Sequence, residues 1–214
     1  PDLFLAPGYR YALGTDFVGR DVLSRTVKGF RSSIPRVVVL TVIIGGVSWL
    51  ILNGKRRIQS LLSLWWRAGL TLLQGIPSFV LAFMVFVVFE HHSWALDIAL
   101  TVACLPVAAQ LMTAKTTSLQ RIAHCVQLGG IVLLLEVIFY FLNLNTESFM
   151  PTWGGDLRHG MHYRPINIWM VLAPTLAVAW SRYSFNQLHY GVPRQHHSVR
   201  YERQPIVRQS DSED

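Results

Sequence analysis

Glu136 is the acidic residue that stands well inside an apolar run, and charge at membrane depth is costly enough to mark it as a functional candidate by default. The histidines are the other residues with chemical reach: His91-His92, His124, His159 and His162, and His196-His197. Any of them has the donor type for a metal or a pigment. None has the i, i+4 pairing with a carboxylate that a zinc-enzyme helix shows, and most stand where apolar runs end, so they read as solvated interfacial side chains. The adjacent pair His91-His92 points two ways on a helix and chelates poorly. Cys104 and Cys125 lie within or beside apolar runs and read as small packing residues, not as a disulfide framework or a metal site. The sequence has neither G-x-x-x-x-G-K-S/T, the phosphate-cradling loop, nor G-x-S-x-G, the nucleophile elbow. No metal, cofactor or enzymatic activity is expected, though a lipid or pigment held between helices is compatible with the chain.

A denser pattern of charge runs from Leu13 to Ser33. Asp16, Arg20, Asp21, Arg25, Lys28 and Arg31 alternate with Val18, Val22, Leu23, Val27, Phe30 and Ile34. The apolar members recur every three to five residues, which predicts an amphipathic helix over about 16–33, with Thr15 or Asp16 accepting backbone N–H bonds at its start. Asp16, Arg20, Asp21, Arg25 and Arg31 are the residues expected to hold this segment against a partner or against the rest of the chain.

The elements that carry these residues are mostly apolar. Of 214 residues, 51% are hydrophobic and 14% charged, with a mean hydropathy of +0.35. A soluble domain carries about 25% charged residues. The apolar residues gather at 36–52, 68–89, 94–114, 125–144 and 166–181, stretches close to the ~20 residues that cross a hydrocarbon core. The expected fold is all-α: a polytopic membrane protein of about five transmembrane helices behind an amphipathic interfacial helix. Segment 1–35 leads in, 36–185 forms the transmembrane domain, and 186–214, rich in His and Arg and then acidic, is expected to be a flexible tail. Pro35 is expected in the first turn of the first span, and Pro77, Pro106 and Pro174 interrupt later ones. Residues 145–164 read as a polar loop. Gly45-Gly46 and Gly129-Gly130 suit close helix approach, and Trp65, Trp66, Trp94, Trp153, Trp169 and Trp180 suit the headgroup level.

The net charge of +7 does not indicate nucleic acid, because no basic, aromatic-interleaved soluble domain exists to carry it. Basic loops facing anionic lipid account for it. Placing Lys55-Arg56-Arg57, Lys115, Arg121 and the Arg-bearing tail on the cytoplasmic side leaves the amphipathic helix on the outer side, with its arginines snorkelling at the interface. Residues 1–12 lack a basic start followed by an apolar core, so no cleavable signal is read there.

The ordered motifs resemble the second permease subunit of dipeptide/oligopeptide ABC importers. Leu13-Gly14-Thr15-Asp16…Gly19-Arg20-Asp21-Val22-Leu23-Ser24-Arg25…Gly29-Phe30-Arg31-Ser32-Ser33 is similar to that family's LGTD-x-x-GRD-V-x-SR…G-x-R-x-S. Gly75-Ile76-Pro77, Leu105-Pro106 through Ser118-Leu119, Glu136 through Asn145, Pro151-Thr152-Trp153-Gly154 and Phe185-Asn186 follow in the family's order, so the likeness spans about 12–190. The resemblance implies a bacterial inner-membrane location and gives Glu136 and Trp153 structural places, with hydrogen bonding near the outer end of its helix sufficient to explain Glu136. It also implies partners: a second permease, two ATPase subunits and a substrate-binding protein.

The sequence departs from that pattern in four places. Only twelve residues stand ahead of Leu13, where the family has a membrane helix. Between Ser118-Leu119 and Glu136 there is no room for the long cytoplasmic loop whose coupling helix docks on the ATPase. Asn143 and Asn145 replace two glycines, and Gln187–Gly191 replaces the family's G-D-x-L-R-D. These departures lead to the expectation of a permease-descended membrane subunit that has lost ATPase coupling. It would act as an accessory or scaffold component packed among other integral membrane subunits and lipid. The alternative is a working permease subunit of a peptide ABC importer.

Overall fold

The computed structural model describes residues 3–53, 69, 71–89, 92–111, 117–144 and 151–202. The chain forms helices α1 (Val22–Asn53), α2 (Ser78–Phe89), α3 (Ala95–Leu111), α4 (Ser118–Phe141), α5 (Trp153–Tyr163) and α6 (Trp169–Glu202). Among the described residues the only β-type pairing is an isolated bridge between Thr15 and Asp21. The protein is all-α, as its apolar patterning predicts. Among the described residues two helices, Val22–Leu50 and Leu119–Phe141, are long and apolar enough to cross a membrane; α2 and α3 are shorter apolar helices.

Helix α1 corrects the expected division at Pro35. The amphipathic segment and the first span are one helix of 32 residues, about 48 Å at 1.5 Å per residue. One buried seam, Val22, Gly29, Ser33, Val37, Leu40, Ile44 and Ser48, runs along it at three-, four- or seven-residue spacing and crosses Pro35 without a shift of face. Packing on that continuous seam outweighs the one backbone bond that the missing N–H of Pro35 removes. Residues 16–21, expected to be helical, form instead a turn ahead of α1.

Pro77 ends one helical stretch instead of kinking it. Gly75 and Ile76 donate to the carbonyls of Leu72 and Leu73 in a closing turn, and α2 begins afresh at Ser78. Helix α4 starts seven residues before the expected 125, because Thr117 and Gln120 form a reciprocal capping box at 3.3 and 2.9 Å. The stretch read as the polar loop 145–164 contains α5, capped by the Thr152 hydroxyl accepting from the Gly155 N–H. Helix α6 continues past Ser181, the expected end of the last span, to Glu202. The cluster Lys55-Arg56-Arg57, Trp65, Trp66, His91, Lys115 and residues 203–214 lie outside the described residues.

Helix α1 packs against α3 and α4, α2 lies on α3, α6 lies along α4, and α5 is clasped by α4 and α6. The core is built from Val37, Leu40 and Ile44, from Leu96, Ala99, Leu100 and Ala103, and from Leu128, Val132, Leu133 and Phe139. Phe79 and Phe86 of α2 meet the ring of Phe139 edge-on at 5.7 and 5.6 Å. Large apolar side chains also point outward: Val39, Val42 and Leu50 on α1, Met84 and Val88 on α2, Leu176 and Trp180 on α6. In water such faces would be aggregation surfaces; in hydrocarbon they are the expected exterior.

Candidate functional site

Asp16 and Arg25 of the N-terminal motif converge at the end of the bundle where α1, α5 and α6 begin. Their scaffold is a bracket ahead of α1. Leu5 and Thr15 pair through two bonds: the Thr15 N–H donates to the Leu5 carbonyl (3.1 Å), and the Leu5 N–H donates to Thr15 Oγ1 (2.8 Å). Gly14 sits at φ +73°, and a Cβ there would fall 2.2 Å from the Leu5 oxygen, so the bracket closes only around glycine. Gly19, at φ +83°, closes the next turn by donating to the Asp16 carbonyl.

Asp16 organises this turn. Its Oδ1 accepts from the N–H groups of Val18 (2.9 Å) and Arg20 (2.7 Å), and the residue is 1% exposed. The helix cap is one turn later than expected: Asp21 Oδ2 accepts from Ser24 N (3.0 Å) and Ser24 Oγ (2.6 Å), leaving Asp16 free to face inward. Arg25, one turn into α1, then bridges two carboxylates. Its Nη1 donates to Asp16 Oδ2 at 3.4 Å, and its Nε donates to Asp156 Oδ1 at 2.9 Å, with Nη2 reaching the same oxygen. Asp156 lies in the first turn of α5 and is 8% exposed. Asn167 completes the clamp by donating to the Thr15 carbonyl (3.0 Å) from the α5–α6 junction.

Trp153 is the apolar half of the same joint. It is 1% exposed, its Nε1–H donates to the Thr26 carbonyl (2.9 Å), and its ring lies where a Cβ on Gly29 would approach within 2.6 Å. Beside it, Ser32 Oγ donates to the Pro151 carbonyl at 2.6 Å. Of the predicted residues, Asp16, Arg25 and Trp153 are thus brought together and Asp21 supports them. Arg20 and Arg31 are exposed and stand outside the cluster.

Glu136 belongs to a second polar group at the same end, where α1, α3 and α4 meet. Arg36 donates from Nε to Asp97 Oδ1 (2.8 Å), with Nη2 2.7 Å from the same oxygen, and Nη1 reaches the Tyr140 hydroxyl. Ser33 bonds the Glu136 carboxyl, which is 1% exposed and interacts with the charge of Arg36. The group ties three helices across their apolar interface.

A shallow cleft with about 20 Å³ of room, enough for a water or two, runs beside the Arg25 bridge. Asp16, Phe17, Val22, Arg25, Thr26, Asp156, His159, Met170 and Pro174 line it. Burial pushes the Asp156 carboxyl up from the ordinary aspartate range, and the neighbouring Arg25 guanidinium partly opposes that. Burial, with Arg158 and Arg25 adding to it, pushes the His159 imidazole down from the ordinary histidine range. His159 also packs against the Phe17 ring, with centroids 5.5 Å apart. Among the described residues no three His, Cys, Asp or Glu side chains are grouped to hold a metal ion. Asp156 and Asn167 belong to this cluster and were missed by the sequence reading, whereas His159, read there as a solvated interfacial side chain, is half-buried beside the cleft. The local signal was Thr152 followed four residues later by an acid, a helix-start pattern inside a stretch read as loop.

No protein-family model matches the chain. It is 25% identical over 222 aligned positions to a protein of Brucella suis biovar 1 (strain 1330) provisionally named a peptide transport system permease protein. That alignment covers 88% of this chain and 74% of the relative. Proteins with the same kind of name from Brucella abortus biovar 1 (strain 9-941) and Brucella melitensis biotype 1 match to the same extent. About 188 residues of this chain occupy those 222 positions, so roughly thirty positions of the alignment face no residue here.

Proposed function

We propose that the chain is a transmembrane permease subunit of a peptide-transport system in the bacterial inner membrane. Its partners in this reading are a second permease, two ATPase subunits and a substrate-binding protein on the outer side. The observation that carries it is the likeness to peptide-transport permeases along 88% of the chain, together with the fold of the motif that opens that likeness. The LGTD…GRD…SR segment is not a loose lead-in. It is a braced element in which Arg25 ties Asp16 to Asp156 and Asn167 holds the Thr15 carbonyl, joining the starts of α1, α5 and α6. A transport subunit needs such a joint where substrate and binding protein arrive.

Purification in mild detergent from the native membrane tests the reading. Co-purifying ATPase subunits and a homologous permease, with ATP hydrolysis stimulated by peptide, are the expected outcome. Their absence beside a stoichiometric set of unrelated membrane subunits would contradict it.

A second reading, that of an accessory or scaffold subunit without ATPase coupling, is favoured by one observation. Helix α4 runs unbroken from its Thr117 cap through Glu136, with no loop in the interval where the resembled family carries its coupling helix. The permease reading takes precedence because these relatives are named for peptide transport.

A further inference from the structure

In the polar group between α1, α3 and α4, two carboxyl groups share the charge of Arg36. Arg36 Nε and Nη2 lie 2.8 and 2.7 Å from Asp97 Oδ1, and Nη1 donates to the Tyr140 hydroxyl. Each of the three guanidinium nitrogens is thus engaged by a partner other than Glu136. Asp97 stands in the first turn of α3, where the helix dipole favours an anion, and its side chain is 38% exposed. Glu136 is 1% exposed and its carboxyl is bonded by Ser33. Among the described residues its Oε2 is buried without a hydrogen-bond partner, and the charges that act on it are those of Arg36 and Asp97.

We propose that Glu136 is a proton-binding site, neutral at neutral pH, and that Arg36 decides which of the two carboxyl groups stays ionised. One cation balances one anion, and the group holds two acids. Ionising both would leave an unpaired charge on the more deeply buried of them. An unpaired buried carboxylate is far costlier than a neutral acid with one unmade hydrogen bond. Asp97 has solvent, the helix start and two guanidinium nitrogens to hold its charge, so the proton falls to Glu136. A proton also needs no cavity, which suits an oxygen with less than 1 Å² of accessible surface. Parting α3 from α1 would free Arg36 to meet Glu136, leave Asp97 ionised in water and release the proton from Oε2 to solvent. The site therefore links the α1–α3 contact to proton uptake, and it stands whether or not the chain works with an ATPase.

Infrared spectroscopy of the full chain in mild detergent tests this, because a protonated carboxyl gives a C=O band separate from the carboxylate bands. The expected result at neutral pH is such a band that moves in heavy water, moves again when the glutamate carboxyls are isotope-labelled, and is lost in Glu136→Gln. Glutamate labelling separates it from any band of Asp156. Asp97→Asn releases Arg36 to Glu136 and is expected to turn the glutamate band into a carboxylate band, a change that a merely structural carboxyl would not undergo. Absence of a glutamate-borne protonated band at neutral pH overturns the proposal, as does a band that survives in Glu136→Gln. A band as strong in Asp97→Asn as in the unchanged chain overturns it as well. Should either variant fail to fold, the isotope-labelled unchanged chain still decides, since the missing glutamate band alone sinks the site. Co-purification without ATPase subunits, with the glutamate band intact, would remove the permease reading and leave this site standing.

Discussion

Arg25 is the side chain whose loss leaves the most uncompensated charge at the candidate site. Its guanidinium is mostly buried between Asp16 and Asp156, so Arg25→Gln strands two carboxylates away from water. Breaking a buried pair this way costs on the order of 3–5 kcal/mol. Arg20→Gln, at an exposed position outside the cluster, is expected to stay within about 0.5 kcal/mol. Denaturation in detergent checks both, and equal effects would contradict the bridge. The pH dependence is set by His159 and Asp156. A histidine with a lowered folded pKa contributes stability above its ordinary value, near 6.5, and loses it as pH falls through the lowered one. A raised aspartate contributes below its ordinary range and loses that as pH rises through the raised value. On acidification from neutral pH the two therefore oppose, His159 lowering the melting temperature and Asp156 raising it, so His159→Gln should shift the slope towards stabilisation at low pH; an unchanged slope would show that His159 does not contribute. Asp16 and Arg25 could be picked from the sequence because they fall in a local pattern with visible turn and helix signals. Asp156 could not, since its partner is 131 residues away and nothing in local spacing announces the contact.

At the scale of elements, close approach decides what each helix tolerates. Gly154 lies against α4, and a Cβ there would fall 2.3 Å from the Val137 carbonyl and 2.6 Å from Tyr140 Cβ. Gly154→Ala must push α5 off its seat, and it is expected to destabilise by about 2–4 kcal/mol as an overpacking change against backbone. Gly46, inside α1, has nothing within 4 Å of an added Cβ, so Gly46→Ala should stabilise by up to about 1 kcal/mol through helix propensity. Opposite signs in paired melting experiments support the packing described; a tolerated Gly154→Ala contradicts it. The same physics explains what the sequence conveyed about the elements. Long apolar runs announce α1 and α4 unmistakably. Helix α5, Trp-Gly-Gly-Asp-Leu-Arg-His-Gly-Met-His-Tyr, has three glycines and little periodicity, so its helicity comes from the Thr152 cap and from being held between α4 and α6. Pro35 suggested a boundary because a local rule places proline at helix starts, and the tertiary seam on both sides of it overrides that rule.

For the whole molecule, the braced end where α1, α5 and α6 begin and the unbroken α4 make different demands on function. In the proposed permease, the bracket, Arg25 and Asp156 fit a subunit that meets substrate and partners on one face, whereas the unbroken run of α4 through Glu136 bears on how ATP hydrolysis would reach it. The outward apolar surfaces of α1, α2 and α6 leave room for neighbouring subunits as well as lipid. The measurement that separates these demands most directly is the composition and activity of the complex purified in mild detergent around the native chain. The account predicts a second permease and ATPase subunits in fixed ratio, with ATP hydrolysis that rises on adding peptide and falls in the Arg25→Gln variant. A complex of fixed composition that contains no ATPase, or ATP hydrolysis indifferent to peptide, would contradict it.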